Sequence, residues 1–196
     1  MPVLDSLPAR MLAARIIPRV SAGMALQFGL VPGEHCVAMI TADNDDALYV
    51  SVDEATKAAA VRVVFAKSFY AGSRHSSGTN SGEVMAVLAG ADPSEVRSGL
   101  DAAVSYLQTR AVWQSAAPDD GVTFFAHVVS RIGTYLADVS GLPVGSPLAY
   151  LVAPPLEGCF ALDAALKAAD VSIASFTAPP SETNFMGALV HGEQSA

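Results

Sequence analysis

The sequence predicts a tandem α+β protein, two copies of one small sandwich of sheet and helices. Three observations carry the prediction: a stretch that repeats in register, Ala-rich helical segments alternating with β-branched runs, and Gly/Pro turns at matching places. Ala14-Arg15-Ile16-Ile17-Pro18-Arg19-Val20 lies over Ala126-His127-Val128-Val129-Ser130-Arg131-Ile132 at a shift of 112 residues. The match runs on without a gap: Ala25 falls on Ala137, Gly29-Leu30 on Gly141-Leu142, Gly33 on Gly145, and the apolar run Cys36 to Ile40 on Leu148 to Val152. The second half of each unit repeats at a shift of 110, with VDEATKAAAVRVV (Val52 to Val64) over LDAALKAADVSIA (Leu162 to Ala174). After a loop of unequal length, Gly82 to Gly90 lies over Asn184 to Gly192.

Each unit reads strand, short helix, strand, helix, strand, strand. RIIPRV, VRVVFA, GEVMAVLA and FFAHVVSRI supply the β-branched strands. FGLVPGE and SGLPVGS supply the turns, where Gly and Pro punctuate the chain. Helices are expected over Glu54 to Ala60 and Asp163 to Ala169, each opened by an Asp able to cap free N–H groups. After Gly90 comes ADPSEVRSGLDAAVSYL, with Asp92 as cap and Pro93 at the first helical position. The matching place after Gly192 holds only Glu193 to Ala196, so by internal comparison the second unit is expected to lack a last helix of roughly 15 residues. The division expected is 1–112 for the first unit and 113–196 for the second.

Of the 196 residues, 52% are hydrophobic and 15% charged, against roughly 25% charged in ordinary soluble domains. The mean hydropathy of +0.39 without an apolar run near about 18 residues points to surface covered by other subunits rather than to a membrane span. A net charge of -8 opposes non-specific nucleic-acid binding, which rests on Lys and Arg. The N-terminus has no basic stretch followed by an apolar one, so a cytoplasmic protein is expected. Two cysteines, Cys36 and Cys159, are too few for a disulfide framework and have no metal spacing.

Asp43-Asn44-Asp45-Asp46 crowds three carboxylates behind a buried-looking strand, CVAMIT. It reads either as a solvated acidic turn or as a site for a small cation such as an ammonium. His127, in an apolar strand, reads as a core or interface histidine before it reads as a ligand. Trp113 sits in a polar linker, as a staple of the junction or a pore wall. His75, His127, Asp45, Asp46, Glu83 and Glu157 are ligand types without a recognised spacing. His127 and Glu157 are at most zinc contacts, and no cofactor is expected. Ser130, Ser146 and Ser181 lack a nucleophile elbow, and no phosphate loop precedes a helix, so an enzyme is not expected.

TADNDDALYVSVDEATKAA, FAKSFYAGS, FFAHVVSRIGTYL, AYLVAPPLE, ALDAALKAADV and APPSETNF resemble the EutL family of tandem-domain shell proteins of the ethanolamine-utilisation bacterial microcompartment, across nearly the whole chain. The resemblance implies two circularly permuted microcompartment (BMC) domains, each a ferredoxin-like α/β sandwich, and three chains closing into a flat pseudohexameric tile. It implies a gated central pore, with the loop Ala71 to Gly82 near the three-fold axis and able to move. It implies small pores that bind ethanolamine, lined by Asp45, Asp46, Glu83, Ala111, Val112, Trp113, Thr183 and Asn184. The partners implied are two further copies, other shell proteins, and ethanolamine or a similar small amine. Two alternatives keep the fold: a soluble trimeric small-molecule sensor, or a tile of a diol or choline microcompartment.

Overall fold

The computed structural model describes residues 4–69, 83–116, 122–179, 181 and 184–193. The loop Ala71 to Gly82, His75 and Thr183 lie outside the described residues. The chain runs β1 (Asp5–Pro8), β2 (Met11–Ile17), α1 (Ala22–Gln27), β3 (Cys36–Ala42), α2 (Asp45–Ala58), β4 (Val61–Phe69), β5 (Glu83–Gly90) and α3 (Pro93–Thr109). It continues with β6 (Val112–Ser115), β7 (Thr123–Val129), α4 (Thr134–Ser140), β8 (Leu148–Ala153), α5 (Pro155–Ala168), β9 (Val171–Thr177) and β10 (Met186–Gly192). One sheet has the order β2-β3-β5-β4 and the other β1-β6-β7-β8-β10-β9. The block β7-β8-β10-β9 repeats the first sheet strand for strand, so the expected element order is observed in both units.

The matched glycines explain why the turns repeat. Gly29 and Gly141 have φ of 60° and 70°, Gly33 and Gly145 of 99° and 88°, a region that L side chains seldom enter. The shift of 112 ends just beyond them. Val20 N–H donates to His35 O, whereas Ile132 N–H donates to Ser146 O, so one residue is lost there in the second unit. Ile17 then pairs with Val37 and Val129 with Leu148. The expected match of Cys36 to Ile40 on Leu148 to Val152 is therefore off by one, and Val37 falls on Leu148. A slip of one residue exchanges the two faces of a strand. Ala38 and Ile40 face the core beneath α2, and their true counterparts Ala149 and Leu151 lie against the cluster formed by α5 and β10.

Two helix starts are also corrected. The first begins not at Asp53 but at Asp45, capped by Asn44, whose side chain accepts from Ala47 N–H at 2.8 Å. Asp45 and Asp46 occupy its first turn, where carboxylates favour the helix dipole. The second begins at Pro155, so Asp163 is an exposed mid-helix residue. Both misreadings come from β-branched or bulky residues ahead of the Ala-rich part, LYVSV and LEGCF, which tertiary packing holds helical. Helix α3 starts as expected at Pro93, with Asp92 accepting from Ser94 N–H at 2.7 Å. Strands β1 and β6 were not expected, and Trp113 lies in β6 rather than in a linker.

The largest core is shared by the two units. Leu48 and Val52 of α2 meet Ile132, Leu136, Phe125 and Trp113 from beyond residue 112. Asp53, wholly buried in the middle of α2, takes Gly133 N–H at 2.7 Å and Leu136 N–H at 2.9 Å, while Thr134 N–H donates to Thr56 Oγ1 at 3.0 Å. Lys57 Nζ donates to Arg131 O at 3.0 Å. No helix among the described residues is long and apolar enough to cross a membrane.

Candidate functional site

The end of β3 and the first turn of α2 split the acidic cluster into two roles. Asp43 is tied down at the surface, accepting from Arg10 N–H at 2.7 Å with Arg10 Nε at 3.6 Å from its other oxygen. Asp45 and Asp46 turn inward, only 4% and 7% exposed. Burying two ionisable carboxylates side by side is costly unless donors or a cation meet them. One donor is Tyr150 of β8, whose hydroxyl donates to Asp46 Oδ1 at 2.7 Å across a sequence separation of 104 residues. Burial first, and then the neighbouring Asp46, pushes the Tyr150 phenol well above its ordinary range, so it stays a neutral donor.

These two carboxylates form one wall of a cavity of about 140 Å³ between the units. Tyr49 and Val139 adjoin them. The rest of the lining comes from beyond residue 112: Tyr150, Val152 and Leu189, with Ser175, Thr177, Ser181 and Phe185. A water takes about 30 Å³ of liquid volume, so the space suits four or five non-hydrogen atoms. The donor set suits a cationic head at the carboxylates and a hydroxyl at the serine and threonine end.

Two of the other expected residues, Trp113 and Asn184, contact residues of this lining without belonging to it. Trp113, 2% exposed, lies tilted against both Phe125 and Phe185 with ring centroids at 5.7 and 5.8 Å. Its Nε1–H donates at 2.9 Å to Asn44 Oδ1, so it braces the cap that sets the direction of Asp45 and Asp46. Ala111, buried, and Val112, half-buried, precede it on the way into β6. Asn184 has φ of 59° and bonds back to Ser181 O at 3.2 Å, in the turn that delivers Ser181 and Phe185. Glu83 opens β5 opposite Phe69. Tyr150, Ser175, Thr177 and Phe185 were missed in the sequence: they arrive from strands and a turn more than a hundred residues from Asp46, and each reads as an ordinary strand or turn residue.

His127 is held at 2.8 Å by the Tyr106 hydroxyl and stacked on Phe125, and burial lowers its pKa below the usual imidazole value. Its ring nitrogen is thus satisfied by a side chain of α3. Glu157 is exposed at the start of α5. Among the described residues no group of three or more His, Cys, Asp or Glu is placed to hold a metal ion.

A model of the BMC domain matches residues 36–118. The chain is 46% identical to the bacterial microcompartment shell protein EutL of Salmonella typhimurium over its full length and 90% of that protein. It is 50% identical to EutL of Clostridium perfringens over 98% of this chain and 88% of the other. The crystal structure of the ethanolamine utilization protein EutL from Leptotrichia buccalis superposes with a TM-score of 0.91 at 49% identity, covering 98% of this chain and 88% of that one. The trimeric microcompartment shell protein PduB, at 19% identity and a TM-score of 0.76 over 93% of this chain and 80% of that one, shares the fold.

Proposed function

The chain belongs to the EutL family of bacterial microcompartment shell proteins, structural proteins and not enzymes, and we propose that three copies close into a flat pseudohexameric tile whose cavity at Asp45 and Asp46 takes ethanolamine or a similar small amine. The observation that carries the ligand is a pair of buried carboxylates lining, together with hydroxyl side chains, one cavity of about 140 Å³. An ammonium complements two adjacent carboxylates in the lining, and the hydroxyls of Ser175 and Thr177 in the same lining can meet an alcohol. Glu83, Ala111, Val112, Trp113, Thr183 and Asn184 belong to the same small pore by resemblance to the family, and the internal repeat supports a division of the chain at 112/113.

The tile is supported by the repeat itself, since three chains of two similar units supply six near-equal wedges around an axis. A central pore that opens and closes, with other shell proteins at the tile's edges, completes the proposal. The loop assigned to that pore lies outside the described residues. Calorimetric titration of the assembled protein with ethanolamine tests the ligand. Asp46→Asn is expected to weaken binding by more than about tenfold, the scale of a buried hydrogen-bonded charge pair. Equal affinity in wild type and variant, or no heat at millimolar ethanolamine, would refute it.

A further inference from the structure

The junction inside one chain contains a pattern for the junction between chains. Within the chain, Asp53 and Lys57 of α2 reach across to the second unit, Asp53 to the Gly133 and Leu136 N–H groups and Lys57 to the Arg131 carbonyl. The repeat gives each of these positions a counterpart. α2 and α5 both close one residue past their last turn, Ala59 N–H on Ala55 O and Ala169 N–H on Ala165 O, which fixes the shift there at 110. Asp53 and Lys57 thus correspond to Asp163 and Lys167, the same two residue types. The receiving side shifts by 112, so Arg131, Gly133 and Leu136 correspond to Arg19, Ser21 and Met24.

Both counterpart surfaces are uncovered. The Asp53 side chain is fully buried, whereas that of Asp163 is 62% exposed and, among the described residues, pairs with Lys167 on its own helix. Leu136 is 1% exposed and its counterpart Met24 is 42%. One tail, on α5, and one head, at the Arg19–Met24 turn, are left over per chain, and they sit in different units. Such surfaces join head to tail and generate rings when the rotation closes.

We propose that the α5 face carrying Asp163 and Lys167 seats on the Arg19–Met24 turn of a second copy of this chain. Asp163 then accepts from the Ser21 and Met24 N–H groups and Lys167 donates to the Arg19 carbonyl, as Asp53 and Lys57 do internally. The inference rests on the tile reading and adds the residues that close it. The two junctions are not identical: Tyr49 and Tyr135, whose rings lie 6.1 Å apart, are replaced by Cys159 and Gly23. That difference supplies the test, because Cys159 is exposed and a side chain at Gly23 meets nothing within 4 Å.

The full chain carrying Gly23→Cys is treated with a short bis-maleimide and run on a denaturing gel, beside light scattering of wild type and Asp163→Lys. Cross-linked multimers are expected, and they vanish in Gly23→Cys with Cys159→Ser. Asp163→Lys is expected to weaken association by more than about tenfold, since it sets an ammonium against N–H donors. Asp163 lies exposed within its own chain, so the separated variant keeps its circular dichroism. A wild type that is a single chain removes the tile reading and this junction together. A stable wild-type trimer that gives no Cys159-dependent cross-link and tolerates Asp163→Lys overturns this junction alone.

Discussion

Removing the Asp53 carboxylate should loosen the seam between the two units, by an amount that the geometry sets. Asp53→Ala leaves the Gly133 and Leu136 N–H groups without their acceptor, at about 1–3 kcal/mol for each orphaned buried donor. Water entering the vacated space recovers part of this, which places the cost at about 2–4 kcal/mol. At about 2–4 °C per kcal/mol for a chain of this size, the midpoint falls by about 4–16 °C. Gly133→Ala attacks the same seam from the other side. Its Cβ would stand 2.7 Å from the Asp53 carbonyl oxygen and 2.9 Å from Asp53 Oδ1, and closer still to Thr56 Oγ1, forcing α4 away from α2. The double variant should therefore cost less than the sum of the two by about 1–3 kcal/mol, because the second change breaks bonds already lost. Trp113, the only tryptophan and buried in the shared core, reports the unfolding by fluorescence at a fixed protein concentration. Strict additivity, or a midpoint unchanged in Asp53→Ala, would mean that these bonds do not hold the seam.

Other outcomes follow from the same contacts. Burial holds the Asp53 carboxyl above its ordinary value of 3.8, despite the opposing pull of the Leu136 and Gly133 N–H groups. Its contribution is then full below that value and lost as pH rises through the higher folded one. Denaturant titrations should show Asp53→Asn falling further behind wild type as pH drops from 7 toward 4. Burial raises Tyr150 and Tyr135, so the unfolded chain loses these protons first, and stability should decline above about pH 10 with tyrosine ultraviolet titration lagging that of free tyrosine. Tyr150→Phe removes the donor on Asp46 Oδ1 and should weaken amine binding by about three- to tenfold in a calorimetric titration, the scale of one hydrogen bond. Gly158→Val should destabilise by more than about 1 kcal/mol, since even a Cβ there collides with Met186 and lies 3.3 Å from Ala153 Cβ; thermal denaturation reads it.

The repeat was legible because its turns need glycine at fixed places, and positive φ cannot be met by most other residues. Helix α3 was legible because Asp92 and Pro93 mark its start chemically. The starts of α2 and α5 carry similar marks, Asn44 with Asp45 and Asp46, and Pro155 with Glu157, but the acidic run reads equally as a turn or a cation site, and LYVSV and LEGCF break the Ala-rich pattern that follows. The one-residue loss before Ser146 left no mark in a run where any apolar residue matches any other; only the hydrogen bonds reveal it. For the site, Asp45 and Asp46 announced themselves by crowding charge beside a buried strand. Tyr150 did not, because a tyrosine in a strand is ordinary until the second unit lays it against the first. Trp113 was noticed as solitary yet misplaced, since four residues of β6 between a helix and a polar stretch are too short to show alternation.

Sedimentation equilibrium of the purified chain at micromolar concentration bears most directly on the claim that two look-alike units let three chains imitate a six-sided plate. A single species of three times the 20.2-kDa chain mass is expected. A stable species at the mass of one chain would contradict it.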